Sequence, residues 1–268
     1  MHSKRIKTSL NISTYNWPQA LNLCLLSVKA LKVLPDEVVI ADDGSTDSTR
    51  QLIEKFQQNF PVPIKHVWQP DEGFQLAKIR NKGIAASANE YIIQIDGDLI
   101  LHPMFVADHI AFSEKGTFAG GSRVLLNKSY SEKLLKLGKI NINLLYKGVT
   151  NKLNGIHSGL LTNYLSSRYK INDIYYLRGC NMAFWRDDLL KINGYNEDLV
   201  NWGREDNEVA IRLVNSGVKK RTLKFGGIVY HIYHPENIKT KLSSNDDLLR
   251  KAIETKSVFC SKGVSQYL

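Results

Sequence analysis

Residues 36–57 read DEVVIADDGSTDSTRQLIEKFQ. A continuous apolar run ends on two carboxylates, Asp42 and Asp43. Gly44 then supplies a turn, Ser45 or Thr46 a helix cap, and an amphipathic stretch follows. An apolar run without polar alternation predicts a strand buried on both faces, as in parallel sheets whose crossovers are helices. The pattern recurs on either side: KTSLNIST leads into a helical stretch from about 18 to 31, IKHVWQ precedes QLAKIRNKGIAASA, and EYIIQIDGD follows. The expectation is an α/β fold, a Rossmann-like, mainly parallel sheet flanked by helices.

Ligands of such sheets bind beyond the carboxyl ends of the strands. Those ends carry Thr14, Tyr15 and Asn16, then Asp42 and Asp43, then Asp96, Gly97 and Asp98. Polar turns would explain each end singly, but not three on one edge. A strand-to-helix turn needs Gly44 and Ser45 but not both aspartates, which can accept hydrogen bonds from a base N–H or ribose hydroxyls. Neither GxxxxGK[ST] nor a GxGxxG after the first strand is present, so the phosphate charge of a nucleotide must be offset in another way. Asp96 and Asp98 form a DxD, which can hold a divalent ion that in turn holds a diphosphate. In DEGFQLAKIRNKG, Lys78 and Arg80 either reach phosphate or base or lie on a solvated helix face.

A chain of 268 residues can bury a full core. Its three cysteines, Cys24, Cys180 and Cys260, are an odd number without CxxC pairing, which argues for a reducing compartment and against a disulfide framework. No apolar signal core and no run of roughly 20 apolar residues is seen, so a cytoplasmic location is expected. The net charge of +10 is regional: nine Lys and Arg lie between Arg123 and Lys170 against one acid, Glu132. No RNA-binding or zinc-finger signature accompanies them, and no nucleic acid partner is expected. Within that stretch SEKLLKLGKINI predicts a basic amphipathic helix, packed on the domain or docked peripherally on a membrane. Failure to bind anionic vesicles at low salt would count against docking.

A second block follows. In NWGREDNEVAIRL, Trp202 and Gly203 precede Glu205 and Asp206, which open a helix with Val209, Ala210, Leu213 and Val214 as its apolar face. Acids there suit the helix dipole, and the same position can hold a base for an acceptor hydroxyl. Trp202 either stacks on a sugar face or packs in the core. VYHIYH ends a strand with His231 and His234, either of which can complete a metal site opened by a DxD. SSNDDLLRKAIETK predicts a helix capped by Ser or Asn ahead of Asp.

Together STYN, VVIADDGSTDST, RNKGIA, DGD, GCNMAFWR, NGYNED, WGREDNE and YHIYH resemble the family 2 glycosyltransferases of the GT-A fold. The second block is similar to the catalytic modules of bacterial chondroitin-type polymerases and of capsule and lipopolysaccharide transferases. Its Trp-Gly-x-Glu-Asp element also resembles that of β-1,4-galactosyltransferases. The resemblance covers most of residues 8–235. It implies a nucleotide-sugar-binding half at 1–124 and an acceptor and catalytic half at 173–235, while the loosened Leu, Lys, Asn and Tyr pattern of 125–172 reads as an insertion and 236–268 as a helical tail. It places Thr14, Tyr15, Asn16, Asp42, Asp43, Gly73, Arg80, Asp96 and Gly97 around a nucleotide-sugar, a UDP-sugar. Asp98 and His231, with His234 as the second choice, would hold Mn2+ or Mg2+. Asp206 would be the general base, with Glu205 beside it, and Trp202, Gly203 and Asn181 would bind a saccharide or lipid-linked saccharide acceptor. Asn201 stands where relatives often have Gly. The implied reaction is an inverting, metal-dependent sugar transfer in bacterial surface polysaccharide or lipopolysaccharide synthesis. Two rivals are a sugar nucleotidyltransferase, which lacks its Gly-rich, basic phosphate loop here, and a non-catalytic polyanion-binding module suggested by the charge.

Overall fold

The structure, a computed structural model, describes residues 5–200, 202–235 and 242–268. Asn201 and residues 236–241 of the expected tail lie outside the described residues. The first half alternates as its pattern implies: β1 (Thr8–Thr14), α1 (Pro18–Lys29), β2 (Glu37–Asp42), α2 (Asp47–Gln58), β3 (Ile64–Trp68), α3 (Leu76–Ala86) and β4 (Tyr91–Asp96). Next come β5 (Leu99–Leu101), α4 (Phe105–Ala111), β6 (Thr117–Gly120), β7 (Arg123–Leu126), α5 (Lys128–Leu137), β8 (Val149–Thr150) and α6 (Gly159–Leu165). The remainder is β9 (Asn181–Trp185), α7 (Arg186–Lys191), α8 (Glu205–Asn215), β10 (Lys219–Thr222), β11 (Val229–His231) and α9 (Leu242–Glu254).

A seven-stranded sheet runs in the order β10-β6-β9-β4-β1-β2-β3. Strands β4, β1, β2 and β3 are parallel, while β9 runs antiparallel to both β4 and β6. Every residue of β1 and β2 is buried, as interior strands covered by helices on both faces require. In register, Thr14 lies opposite Asp42 and Ser13 opposite Asp96, so the three polar strand ends sit abreast on one edge. Gly44 makes the β2–α2 turn possible: its φ is +94°, and a Cβ there would lie 2.6 Å from the Asp71 Cα.

A second, four-stranded sheet has the order β5-β11-β7-β8. It pairs His231 with Leu99, the residue after Asp98, and thereby carries the histidine to the DxD. This sheet also absorbs much of the segment expected as an insertion. Leu126, Tyr130, Leu134 and Val149 pack with Leu23, Ile100 and Ile228 in one apolar cluster. The basic helix starts earlier and ends earlier than its pattern implies. Asn127 caps α5 by accepting from the Tyr130 N–H at 2.9 Å, and Gly138, left-handed at φ +62°, ends it before KINI.

On α8, Val209, Ala210 and Leu213 are fully buried, but Val214 is 41% exposed, and Ile211 packs in its stead with Leu249 and Ala252 of α9. A buried Arg212–Glu208 pair at 2.7 Å, with Arg212 also donating to the carbonyls of Ile192 and Gly194, fastens α8 to the segment behind β9. Helix α9 is already under way at Leu242, so Asn245 is an interior residue and not a cap. Its amide instead donates to the carbonyls of Val200 and Gly203, clamping the loop that leads into α8. Among the described residues no helix is long and apolar enough to cross a membrane.

Candidate functional site

Arg80 is the centre of the site. It lies on α3, 3% exposed, and one guanidinium group donates to Asp206 Oδ1 at 2.7 Å and to Asp96 Oδ1 at 3.2 Å. Glu205 Oε1 is 3.9 Å away, and the guanidinium lies 5.3 Å from the Tyr195 ring centroid. Three carboxylates from two distant stretches thus share one buried cation. Burial works against the Arg80 charge, yet Asp206, Tyr195, Asp96 and Glu205 together raise its pKa. Burial and the neighbouring charge of Asp206 push Glu205 up to about 7 despite Arg80, and burial pushes Asp96 up to about 6.

Asp206 and Glu205 reach this position because α8 opens at Arg204, whose φ is +76°, after Gly203 at +108°. Gly203 N–H donates to Glu205 Oε2, which ties Glu205 back into the loop, whereas the Asp206 side chain stays 21% exposed. Gly179 makes room for that carboxylate: a Cβ there would stand 1.5 Å from Asp206 Oδ2. Trp202, next to Gly203 in this loop, is 40% exposed.

On the other side of Asp96, Asp98 meets two histidines. Its Oδ2 is 3.2 Å from His234 Nε2 and 3.5 Å from His231 Nε2, and all three side chains can offer ligand atoms within 4.8 Å of one another. Asp98 Oδ1 is buried without a hydrogen-bond partner. A carboxylate and two imidazoles with one oxygen unspent suit a divalent ion, and the imidazoles favour Mn2+ over the harder Mg2+. Burial alone would raise Asp98, but the His234 hydrogen bond and the charges of both histidines hold it below the ordinary range. The same hydrogen bond lifts His234 to about 9, while burial lowers His231.

The outer edge is built from the first two strand ends. Tyr15 is half exposed and donates from its hydroxyl to Asp71, and Asn16, at φ +44°, accepts from the Thr46 N–H. Thr14 is nearly buried, and Gly97 N–H donates to the Ser13 carbonyl, drawing the DxD against β1. Gly73, at φ +82°, lies on an open loop beside Asp71. Asp43 accepts from Gln69 and from the Gln75 N–H, which joins that loop to the strand edge.

Three residues expected to touch ligands do other work. Asp42 is fully buried, with one oxygen accepting from Ser45 N–H and the other 3.0 Å from His66, so it supports the turn from beneath. Asn181 is likewise sealed, bonded to the carbonyls of Ser122 and Gly227 and to His109. Lys78 pairs with Glu72 and not with the strand edge. Conversely, Gly179 and Tyr195 escaped sequence reading. RGC and NGY were visible, but only packing shows the glycine yielding space to Asp206 and the tyrosine lying over Arg80, its hydroxyl accepting from Gln94.

A family model described as "Glycosyl transferase family 2" matches residues 9–190, and one described as "N-terminal domain of galactosyltransferase" matches residues 162–235. Chondroitin synthase of Escherichia coli is 26% identical over 237 residues, covering 83% of this chain and 34% of that protein. Hyaluronan synthase of Pasteurella multocida is 25% identical over 243 residues, covering 85% of this chain and 25% of that protein. The chain therefore spans between a quarter and a third of the length of these curated relatives. Among solved structures, S. aureus TarS 1-349 in complex with UDP-GlcNAc aligns with a TM-score of 0.67 at 18% identity, over 98% of this chain and 69% of that one. The mannosyltransferase PcManGT from Pyrobaculum calidifontis, in complex with GDP-Man and Mn2+, aligns at 0.61 and 16% identity, over 88% of this chain and 59% of that one. At these identities the likeness shows a shared fold.

Proposed function

The chain belongs to glycosyl transferase family 2 and is a glycosyltransferase of the GT-A fold, and on that premise we propose an inverting transfer from a UDP-sugar to a saccharide acceptor, assisted by Mn2+ or Mg2+. The observation that carries this reading is the shared guanidinium: Arg80 ties Asp96 of the DxD to Asp206 of WGRED. A donor-side carboxylate and a candidate base are thereby held on two sides of one group.

In this reading Tyr15, Asn16, Thr14, Asp43 and Gly73 border the nucleoside, and Asp96 and Gly97 border the ribose and diphosphate. Asp98, His231 and His234 would hold the ion, which when bound offsets the negative charge of the diphosphate. Asp206 Oδ2, the oxygen not engaged by Arg80, accepts the proton of an acceptor hydroxyl. The acceptor oxygen forms its bond to the anomeric carbon as the bond from that carbon to the diphosphate oxygen breaks, and the electron pair leaves with UDP. Attack from the opposite face inverts the centre. Trp202 offers its ring to the acceptor sugar.

The chondroitin and hyaluronan synthase relatives support a saccharide acceptor; a lipid-linked saccharide acceptor and a place in surface polysaccharide or lipopolysaccharide synthesis are the further parts of the proposal. The lysines of 125–172, with Leu137, Leu145, Leu153 and Leu160 exposed among them, support a cytoplasmic enzyme resting peripherally on an anionic membrane. A panel of UDP-sugars, followed by UDP release with Mn2+ and with a chelator, tests the reaction. Release from one donor that stops with chelator is expected. Formation of a nucleotide-sugar from a sugar phosphate and a nucleoside triphosphate would instead make the chain a nucleotidyltransferase. Polyanion binding that persists without any turnover across donors and acceptors would make it a binding module.

A further inference from the structure

A second, small and partly open pocket of about 20 Å³ lies beside this site, and its wall is cationic. Arg123, Arg178 and Lys224 line it, together with Tyr176, Asn154 and Thr222. None of the three cations pairs with a carboxylate among the described residues. Arg123 reaches Cys180 Sγ at 3.8 Å, Arg178 donates to the Leu177 carbonyl, and Lys224 donates to Asn154 Oδ1. Thr222 is 5% exposed, and its hydroxyl has no hydrogen-bond partner. Three cations without carboxylate partners and a spare hydroxyl make this partly open pocket a favourable place for an anion.

The wall is held in place. Lys220, 5% exposed, donates from one ammonium group to the carbonyls of Lys170, Asp173 and Tyr176, which fixes the segment leading to Arg178. The Asn154 amide donates to the Arg123 carbonyl while its oxygen receives Lys224. The pocket also adjoins the chemistry on both sides. Arg178 immediately precedes Gly179, the residue packed on the Asp206 carboxylate, and Arg123 lies opposite Val229 on the strand β11 that ends in His231.

We propose that this pocket is a subsite for an oxyanion carried by one of the two reacting sugars, a carboxylate or a phosphate ester. The proposal rests on the glycosyltransferase reading and adds the class of sugar it selects. Guanidinium forks and a hydroxyl donor match the planar oxygens of a carboxylate and the oxygens of a phosphate alike.

The test compares kcat/KM for matched pairs: UDP-hexose with UDP-hexuronate at fixed acceptor, and neutral with uronate- or phosphate-bearing acceptor at fixed donor. The anionic member should be preferred in one pair, and Arg178→Gln or Lys224→Gln should each lower that preference by roughly 10- to 100-fold. The affected pair identifies which sugar bears the charge. Loss of affinity for UDP itself in both variants, whatever the sugar, would reassign the pocket to the donor diphosphate and overturn the proposal. Binding gives a readout free of turnover. With UDP and Mn2+ present, glucuronate or glucose 6-phosphate should raise the melting temperature of the wild type above the effect of glucose, and Arg178→Gln should lose the difference. Equal shifts for charged and neutral sugars overturn the pocket, whereas no effect of UDP and Mn2+ counts against the transferase reading instead.

Discussion

Asp206→Asn lowers kcat by roughly 100- to 10,000-fold, the range removed with a general base, and leaves donor KM nearly unchanged. The substitution keeps the shape of the side chain. Asn Oδ1 still accepts from Arg80, which holds Asp206 at 2.7 Å, so the arrangement around α3 survives. What disappears is the ability of the second oxygen to take a proton. Glu205 is the rival base, but its side chain is only 8% exposed and one oxygen is tied to the Gly203 N–H. Steady-state kinetics of both variants decide between them: a larger loss in Glu205→Gln than in Asp206→Asn would transfer the role to Glu205.

Arg80→Met destabilises the fold by about 3–5 kcal/mol, as breaking a buried ion pair does, or on the order of 10 °C in melting temperature for a chain of this size. Asp206, Asp96 and Glu205 lose their common cation. The deficit also depends on pH. Glu205, already raised to about 7, rises further without the guanidinium. An acid whose folded pKa exceeds its unfolded value binds more protons when folded, so stability falls as pH rises from the unfolded toward the folded pKa. The deficit is therefore larger at pH 8 than at pH 5.5, and Arg80→Met combined with Asp206→Asn recovers part of it. Thermal melts across that range check both statements. A variant that melts within about 2 °C of wild type at pH 8 would show that Arg80 is not what holds the three acids.

Much of the sheet was legible because β2 and β4 are largely apolar runs, β1 leads directly into a helical stretch, and the residues ending all three fall on one edge. Helix α5 and the segment around it were harder to read. Leu126, Tyr130, Leu134 and Val149 are spread through a lysine- and asparagine-rich stretch, and their common cluster depends on Ile100 and Ile228 from elsewhere in the chain. The site shows the same division. Asp206, Asp98 and His231 are candidates by residue type and position, and the structure sets each beside other candidates. Asp42 and Asn181 look identical in sequence to ligand-binding residues, and only their protein partners reveal that their hydrogen bonds are already committed. Arg80 was visible as a cation beside phosphate or base. Its contact with an acid 126 residues away along the chain was not.

The most direct test of the central claim is whether UDP and the divalent ion bind as one unit on Asp98. Melting temperature would be measured for wild type and Asp98→Ala with UDP, with Mn2+ and with both. At a hundredfold excess over Kd, UDP with Mn2+ should stabilise wild type by about 2.7 kcal/mol, roughly 5–10 °C, with little shift from UDP in chelator and little in Asp98→Ala under any condition. An equal UDP shift with and without metal, or a full shift retained in Asp98→Ala, would contradict a metal-diphosphate site built on the DxD.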